Sequence, residues 1–128
     1  MNEKSVTSHI RLDAAQRDIT LFRNNSGAFY NDRNQFVRYG LGGFRPEDQL
    51  ASSDWIGATP VLITPDMVGQ VVGVFTAVET KPSDWKFNRS DKRCLYQKNF
   101  IDMVLKAGGF AGFATCVNDF RKIIKHET

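Results

Sequence analysis

Cysteine is scarce in this chain: its 128 residues include only Cys94 and Cys116. Their separation matches neither a zinc-ligand spacing nor a redox motif, so the two thiols suggest a reducing cytoplasm. Long hydrophobic runs are also missing, since no stretch approaches the ~18 apolar residues that span a membrane. The first residues, 1–8, lack the apolar region of a secretory signal peptide. We therefore expect a cytoplasmic protein with no membrane partner.

A strong excess of one charge is absent as well. Seventeen Lys and Arg residues against 14 Asp and Glu give a formal net charge of +3, which does not by itself indicate a polyanion partner. The basic residues are nevertheless clustered between Lys81 and Lys98, where Trp85, Phe87 and Tyr96 are interleaved among them. Such a cluster is either a solvated face or a surface for nucleic acid, and composition leaves both open.

Signatures of several enzyme classes are missing. Ser26 has no recognisable His and Asp partners for a hydrolase triad. Gly40, Gly42 and Gly43 are not followed by the lysine-serine pair and helix of a phosphate-binding loop. The sequence therefore carries no cofactor signature that would favour a third possible function, that of an enzyme acting on small molecules.

The length fits one compact domain over residues 1–128, without linker, low-complexity tract or repeat. Hydrophobic spacing and capping residues predict three helices, over Ser5–Arg17, Asp91–Ala107 (with Ser90 as N-cap) and Val117–Lys125. β-prone segments predict strands over Ile19–Arg23, Phe110–Cys116 and a hairpin made of Ala28–Tyr30 and Phe36–Tyr39, and Leu41–Ser53 is expected to be a loop. This order predicts an α/β fold with helices packed around a mixed central sheet.

Two further strands are predicted in the middle of the chain. Trp55–Ile63 is β-prone, although Pro60 argues for an edge position or an end there. Val71–Val78 has the composition of a strand covered on both faces. The turn at Thr64–Gly69 would join the two strands as a hairpin, and this would bring Asp54 close to Glu79.

The residue types at these strand ends suit metal-dependent phosphodiester hydrolysis. Carboxylates such as Asp54 and Glu79 are ligands that Mg²⁺ prefers, and the carbonyl oxygen of Thr80 could supply another. Lys81 lies two residues after Glu79, on the same face of a strand, where its ammonium could orient water or offset negative charge. Thr80 would then turn its side chain into the packing. The plainer interpretation is a surface Glu79–Lys81 ion pair worth under ~1 kcal/mol.

Five ordered segments of the sequence together resemble the VRR-NUC family of the PD-(D/E)XK nuclease superfamily. Small stand-alone, phage-encoded members of that family are similar to this chain over nearly its whole length. The segments are Arg23-Asn24-Asn25-Ser26-Gly27, Ser53-Asp54-Trp55-Ile56-Gly57, Val78-Glu79-Thr80-Lys81, Gln97-x-x-Phe100-Ile101 and Gly108-Gly109-x-Ala111.

The resemblance implies a restriction-endonuclease-like core and specific residue roles. Asp54 and Glu79 would bind Mg²⁺ or Mn²⁺, Lys81 would be the catalytic lysine, and Gln97 an auxiliary active-site residue. Asp13 is the candidate, by position, for the acidic residue on the first helix. The resemblance also implies a homodimer that cuts branched DNA, such as four-way (Holliday) junctions, in a bacterial host cytoplasm if the protein is phage-encoded.

Other residues are candidates for contacts with DNA or with a second copy. Arg23, Asn24 and Asn25 could bind phosphate, although a tight turn explains the two asparagines equally well. The basic stretch offers four more candidate contacts with DNA, namely Lys86, Arg89, Lys92 and Arg93. The candidates for the dimer surface are the aromatic residues of the hairpin, namely Phe29, Tyr30, Phe36 and Tyr39. The alternative function is a catalytically inactive nuclease-fold protein that binds nucleic acid or another protein.

Overall fold

A computed structural model describes residues 2–25, 27–39 and 53–126. The chain divides into two compact units, Met1–Gly57 and Ala58–Thr128. The described residues form three α-helices, one short 3₁₀ helix and three two-stranded sheets, β1 with β4, β2 with β3 and β5 with β6. In chain order the elements are α1 (Glu3–Gln16), β1 (Thr20–Arg23), β2 (Gly27–Tyr30), β3 (Phe36–Tyr39), β4 (Trp55–Ala58), the 3₁₀ helix (Pro65–Met67), β5 (Thr76–Thr80), α2 (Lys92–Lys106), β6 (Phe110–Ala114) and α3 (Val117–Ile123).

The predicted α/β class is confirmed. None of the helices in the described ranges is long and apolar enough to cross a membrane. The expected single domain and restriction-endonuclease-like core stay predictions.

The first unit begins with α1, which is capped by the side chain of Asn2 at the backbone N–H of Ser5, 2.9 Å away. After Asp18, in the left-handed conformation, the chain continues into β1, which pairs with β4. Gly57 allows this pairing, because a β-carbon there would lie only 1.7 Å from the carbonyl oxygen of Thr20. β2 and β3 form the predicted antiparallel hairpin, with Tyr30 opposite Phe36.

The second unit is built on a β–α–β crossover. β5 and β6 are parallel, with Glu79 opposite Phe113, and α2 connects them. Ile101 and Val104 on α2 pack with Ala111 on β6 to form the buried core of this unit. Parallel strands require such a crossover, and the helix therefore covers the strand that carries Glu79.

Both ends of α2 are fixed by local chemistry. Its N-cap is Asp91 rather than the predicted Ser90, because the Asp91 carboxylate accepts the backbone N–H of Arg93 at 3.0 Å. Its C-terminus is the predicted glycine stop: Gly108 has φ +92°, and Gly109 N–H donates to the carbonyl of Val104 at 2.9 Å. This is a Schellman motif, which satisfies carbonyls at the helix end.

A side chain closes the N-terminal turn of α3. The carboxylate of Asp119 accepts the backbone N–H of Thr115 at 2.9 Å and its hydroxyl at 2.8 Å. These hydrogen bonds favour the ionised form, and they lower the pKa of Asp119 below its ordinary value, led by the backbone bond.

The predicted hairpin between Trp55–Ile63 and Val71–Val78 is wrong. β4 ends at Ala58, as Pro60 suggested, and its partner is β1, whereas β5 starts only at Thr76 and pairs with β6. Val71 is 99% exposed, so this segment is not covered on both faces. β-branched residues favour a strand only where packing and a partner strand are available. The loop predicted over Leu41–Ser53 lies, apart from Ser53, outside the described residues.

Candidate active site

Glu79 and Lys81 lie on one face at the end of β5. The backbone N–H of Lys81 donates to the carbonyl of Ala114 at 2.9 Å, so the pairing with β6 continues one residue beyond β5. Because side chains two residues apart on a strand share a face, the Lys81 Nζ comes within 3.9 Å of Glu79 Oε1.

Gln97 on α2 connects these two side chains. Its Nε2 donates to Glu79 Oε1 at 2.9 Å, and its Oε1 accepts a hydrogen bond from Lys81 Nζ at 2.8 Å. An ammonium can only donate and a carboxylate can only accept, so the amide has a single orientation that satisfies both partners. The structure thus brings together three of the predicted site residues, Glu79, Lys81 and Gln97.

Two aromatic rings lie beside the lysine. Lys81 Nζ lies 5.6 Å from the centroid of the Trp85 ring and 5.9 Å from that of Phe113, and these two rings are 4.6 Å apart. The Lys81 side chain is only 17% exposed, against 40% for that of Glu79. The negative faces of aromatic rings offset part of the cost of burying an ammonium group.

Sequence reasoning did not assign Trp85 and Phe113 to this site. The position of Trp85, four residues after Lys81, was the only local signal for it. Phe113 is placed by the parallel register of β5 and β6, which the sequence pattern does not specify.

Glu79 offers one carboxylate oxygen to a hard divalent cation. Within the described ranges, Glu79 Oε2 accepts no hydrogen bond, because Gln97 engages Oε1. Carboxylate oxygens are preferred ligands of Mg²⁺, and the Glu79 side chain is 40% exposed. Glu79 also lines a groove of about 680 Å³, together with Arg93 and Tyr96, which leaves room for a substrate group. The described residues contain no group of three His, Cys, Asp or Glu side chains that could hold a metal.

Thr80 differs in part from its prediction. Its side chain is exposed rather than packed, because Thr80 is the last residue of β5, where nothing in the described part of the chain covers it. The use of its carbonyl oxygen as a metal ligand stays a prediction.

Asp54 lies in the first unit, immediately before β4, and is exposed. Asn24 holds the backbone that carries it: the Asn24 N–H donates to the Asp54 carbonyl and its Nδ2 to the Ser53 carbonyl, both at 2.8 Å. Asn24 is only 9% exposed, and these bonds tie it to a segment about 30 residues further along the chain. Neither the phosphate contact nor the local tight turn predicted for Asn24 is tested by this contact. A common metal site of Asp54 with Glu79 stays a prediction.

Asp13 is engaged on α1. Its Oδ2 accepts a hydrogen bond from Arg17 Nε at 2.8 Å, and the two side chains are 61% and 67% exposed. An exposed pair four residues apart on a helix contributes about 0.3–0.5 kcal/mol to stability. The role of Asp13 as a metal ligand stays a prediction.

The candidate nucleic-acid contacts are mostly accessible. Arg23 and Asn25 are exposed and hydrogen-bonded to each other, Nε to Oδ1, at 3.0 Å. The four basic residues of the second unit are also exposed, namely Lys86, Arg89, Lys92 and Arg93. Of these, Arg93 lines the same groove as Glu79, and this places a positive charge beside the carboxylate.

Comparisons with models of known protein families, with curated proteins and with solved structures find no match to this chain. The resemblance to VRR-NUC nucleases therefore stays a prediction drawn from the five sequence segments.

Proposed function

We propose that this protein is a Mg²⁺- or Mn²⁺-dependent endonuclease that hydrolyses phosphodiester bonds of DNA. The observation that supports this most is the hydrogen-bonded series Lys81–Gln97–Glu79. It combines a carboxylate that has one oxygen without a hydrogen bond from the described residues with an ammonium held on the same face. A simple surface ion pair does not need a half-buried amide to connect its two members.

Each residue of the series has a separate task in this proposal. A bound divalent cation would polarise the phosphate and lower the pKa of the attacking water. Glu79, with Asp54, the Thr80 carbonyl and Asp13 as further candidates, would hold that cation. Lys81 would orient the attacking water and offset the negative charge that develops on the phosphate oxygens. Gln97 would keep the lysine and the carboxylate in a fixed relative position.

The exposed basic residues support DNA as the substrate. Arg93 lines the groove of Glu79, and Lys86, Arg89 and Lys92 lie nearby in sequence. Contacts with phosphates release counterions, so binding should weaken as salt rises. A 14.5 kDa chain offers little surface for reading base sequence, which favours recognition of branched structures such as four-way junctions over sequence-specific cutting.

A homodimer with a restriction-endonuclease-like core completes this proposal, since matched nicks in a symmetric junction need two related sites. The β2–β3 hairpin offers a surface for it. Four aromatic side chains of the hairpin are 46–68% exposed, namely Phe29, Tyr30, Phe36 and Tyr39. The bacterial host cytoplasm would be the place of action if the protein is phage-encoded.

A cleavage assay tests the function directly. Labelled junction, flap and duplex DNA are incubated with the purified protein and with Mg²⁺, Mn²⁺ or EDTA. The proposal expects metal-dependent nicks, which Glu79→Ala and Lys81→Ala should abolish while DNA binding is kept. Undiminished Mg²⁺-dependent activity in both variants would remove the site assignment.

A second candidate function is a nuclease-fold protein that binds nucleic acid or another protein without cutting. The ion pair of Asp13 with Arg17 favours it, because the candidate first-helix acid already has a partner. In the same assay this alternative gives DNA bands that shift in a native gel but are never nicked in any metal.

A further inference from the structure

A cleft beside α1 in the first unit collects positive charge that the proposed hydrolysis does not use. It has a volume of about 800 Å³ and is lined by one face of α1, by β1 and by Trp55. Lys4 and Arg11 come from α1, and Arg23 comes from the end of β1. The described lining residues include three cations and one carboxylate, that of Glu3. The cleft therefore attracts anions.

Both arginines of this cleft lie over the Trp55 ring. The Cζ atom of Arg11 lies 5.4 Å from the centroid of the indole ring and that of Arg23 lies 5.5 Å from it. The two guanidinium groups are thus no more than about 11 Å apart, although they repel each other. The face of an indole ring attracts cations and offsets part of this repulsion. Unlike a carboxylate, it uses none of their N–H donors.

Those donors are available for a ligand. The Arg11 side chain makes no hydrogen bond or ion pair with the residues in the described ranges. The Nε of Arg23 donates to Asn25 Oδ1 at 3.0 Å, and its terminal nitrogens make no hydrogen bond within the described part of the chain. A guanidinium group offers paired N–H donors in a geometry that matches two oxygens of a phosphate.

We propose that this cleft binds the phosphodiester backbone of a DNA strand, with Arg11 and Arg23 on phosphates and Trp55 positioning both. The inference rests on the proposed function for the identity of the polymer, and it adds Lys4, Arg11 and Trp55 to the contact surface. Backbone contacts of this kind fix the position of the strand and carry no base specificity.

The fluorescence of Trp55 provides a direct test. The chain has two tryptophans, so a Trp85→Phe background leaves Trp55 as the only indole. This protein is titrated with a short oligothymidylate in EDTA, where no metal-dependent cleavage occurs, at several salt concentrations. The variants are Arg11→Ala and Arg23→Ala, and the matched control is Arg33→Ala, which removes an exposed arginine from the β2–β3 turn of the same unit.

The proposal expects a saturable change in Trp55 emission. Each of the two arginine variants should weaken binding about tenfold, as expected for the loss of a charge-assisted phosphate contact. Each should also reduce the slope of log K against log salt by about 0.7, the value for one single-strand phosphate contact. Arg33→Ala should change neither quantity. An Arg11→Ala protein with the affinity and salt slope of Arg33→Ala would overturn the proposal.

Two further readouts keep the outcome clear. Arg11 is exposed on a helix, where alanine is the best helix former, so circular dichroism should show a folded variant. Arg11→Lys keeps the charge and should retain most of the salt slope. If the protein binds oligothymidylate through these arginines but nicks no junction, the proposed nuclease activity is wrong and the proposed DNA-binding cleft stands. If the protein cuts junctions while Arg11→Ala binds DNA normally, only the proposed cleft is wrong.

Discussion

The ammonium of Lys81 lies 3.9 Å from the nearest carboxylate oxygen of Glu79, at the outer limit of an ion pair. The shorter connection between them runs through the amide of Gln97, at 2.8 and 2.9 Å. The two charges are therefore held close together without forming a tight pair, and each keeps capacity for a further partner.

Gln97→Ala should reduce cleavage about 10- to 100-fold, the usual cost of removing a side chain that orients a metal ligand. The fold should remain intact, because Gln97 is not one of the residues that form the core described for the second unit. Single-turnover cleavage measures the effect, with Asn99→Ala as the control on an exposed position of the same helix. Equal rates in the two variants would contradict a positioning role for Gln97.

Glu79→Gln should keep the shape of the site and remove its charge. The amide oxygen can still accept the hydrogen bond from Gln97, so the thermal midpoint should change little. Metal binding depends on the charged oxygen, so the apparent affinity for Mn²⁺, measured by calorimetry, should fall at least tenfold. Unchanged Mn²⁺ affinity would place the metal elsewhere.

Asp119→Asn should lower stability at neutral pH and lose its effect in acid. The folded-state pKa of Asp119 is lowered, chiefly by the backbone N–H of Thr115, relative to about 4 in an unfolded chain. Its charge therefore stabilises the fold above pH ~4, and this contribution disappears as the pH falls through the lower folded-state pKa. Thermal midpoints of both proteins between pH 3 and 7 should converge at the acidic end. A constant difference would contradict the linkage.

Gly109→Ala should destabilise the second unit by about 1–3 kcal/mol, the usual cost of overpacking. A β-carbon at this position would lie 2.7 Å from both the Phe75 carbonyl oxygen and the Val104 Cγ1 atom. Gly73→Ala is the matched control, since a β-carbon there meets nothing within 4 Å. Urea unfolding should separate the two variants clearly, and similar midpoints would count against this packing.

Substitutions on the β2–β3 hairpin should weaken the proposed dimer. Tyr30 and Phe36 lie opposite each other, with ring centroids 5.4 Å apart, and both are more than half exposed. Changing both to serine should leave the fold intact and shift the mass from light scattering toward one chain of 14.5 kDa. If the unchanged protein already shows only this mass under DNA-binding conditions, the homodimer is wrong.

Local signals in the sequence predicted much of this structure. The period of α2, its Gly108–Gly109 stop and the β2–β3 hairpin depend on residues close in the chain, and they were recognisable. The shared face of Glu79 and Lys81 followed from strand geometry alone. The role of Gln97 came from the resemblance to the VRR-NUC family, and in the structure its side chain lies between Glu79 and Lys81.

Apart from the N-cap of α2, which is Asp91 rather than Ser90, the main errors concern contacts between distant segments. β propensity indicates that Val71–Val78 can form a strand, but it does not say which partner the strand takes or where pairing begins. The sequence therefore suggested a hairpin with Trp55–Ile63, while β5 pairs with β6 across a helix. The same limit applies to Phe113, whose place beside Lys81 depends on the register of that parallel pair.

The hydrogen bond between the Lys81 amide and the Ala114 carbonyl anchors the residue proposed for catalysis at its main chain. Opening this bond requires local loss of pairing between two strands, which costs far more than rotating a side chain. Any adjustment of the ammonium during turnover must therefore come from the four methylene groups of the lysine, with its Cα as a stationary pivot. Amide hydrogen exchange at Lys81 should accordingly be slow even while its side chain changes partners.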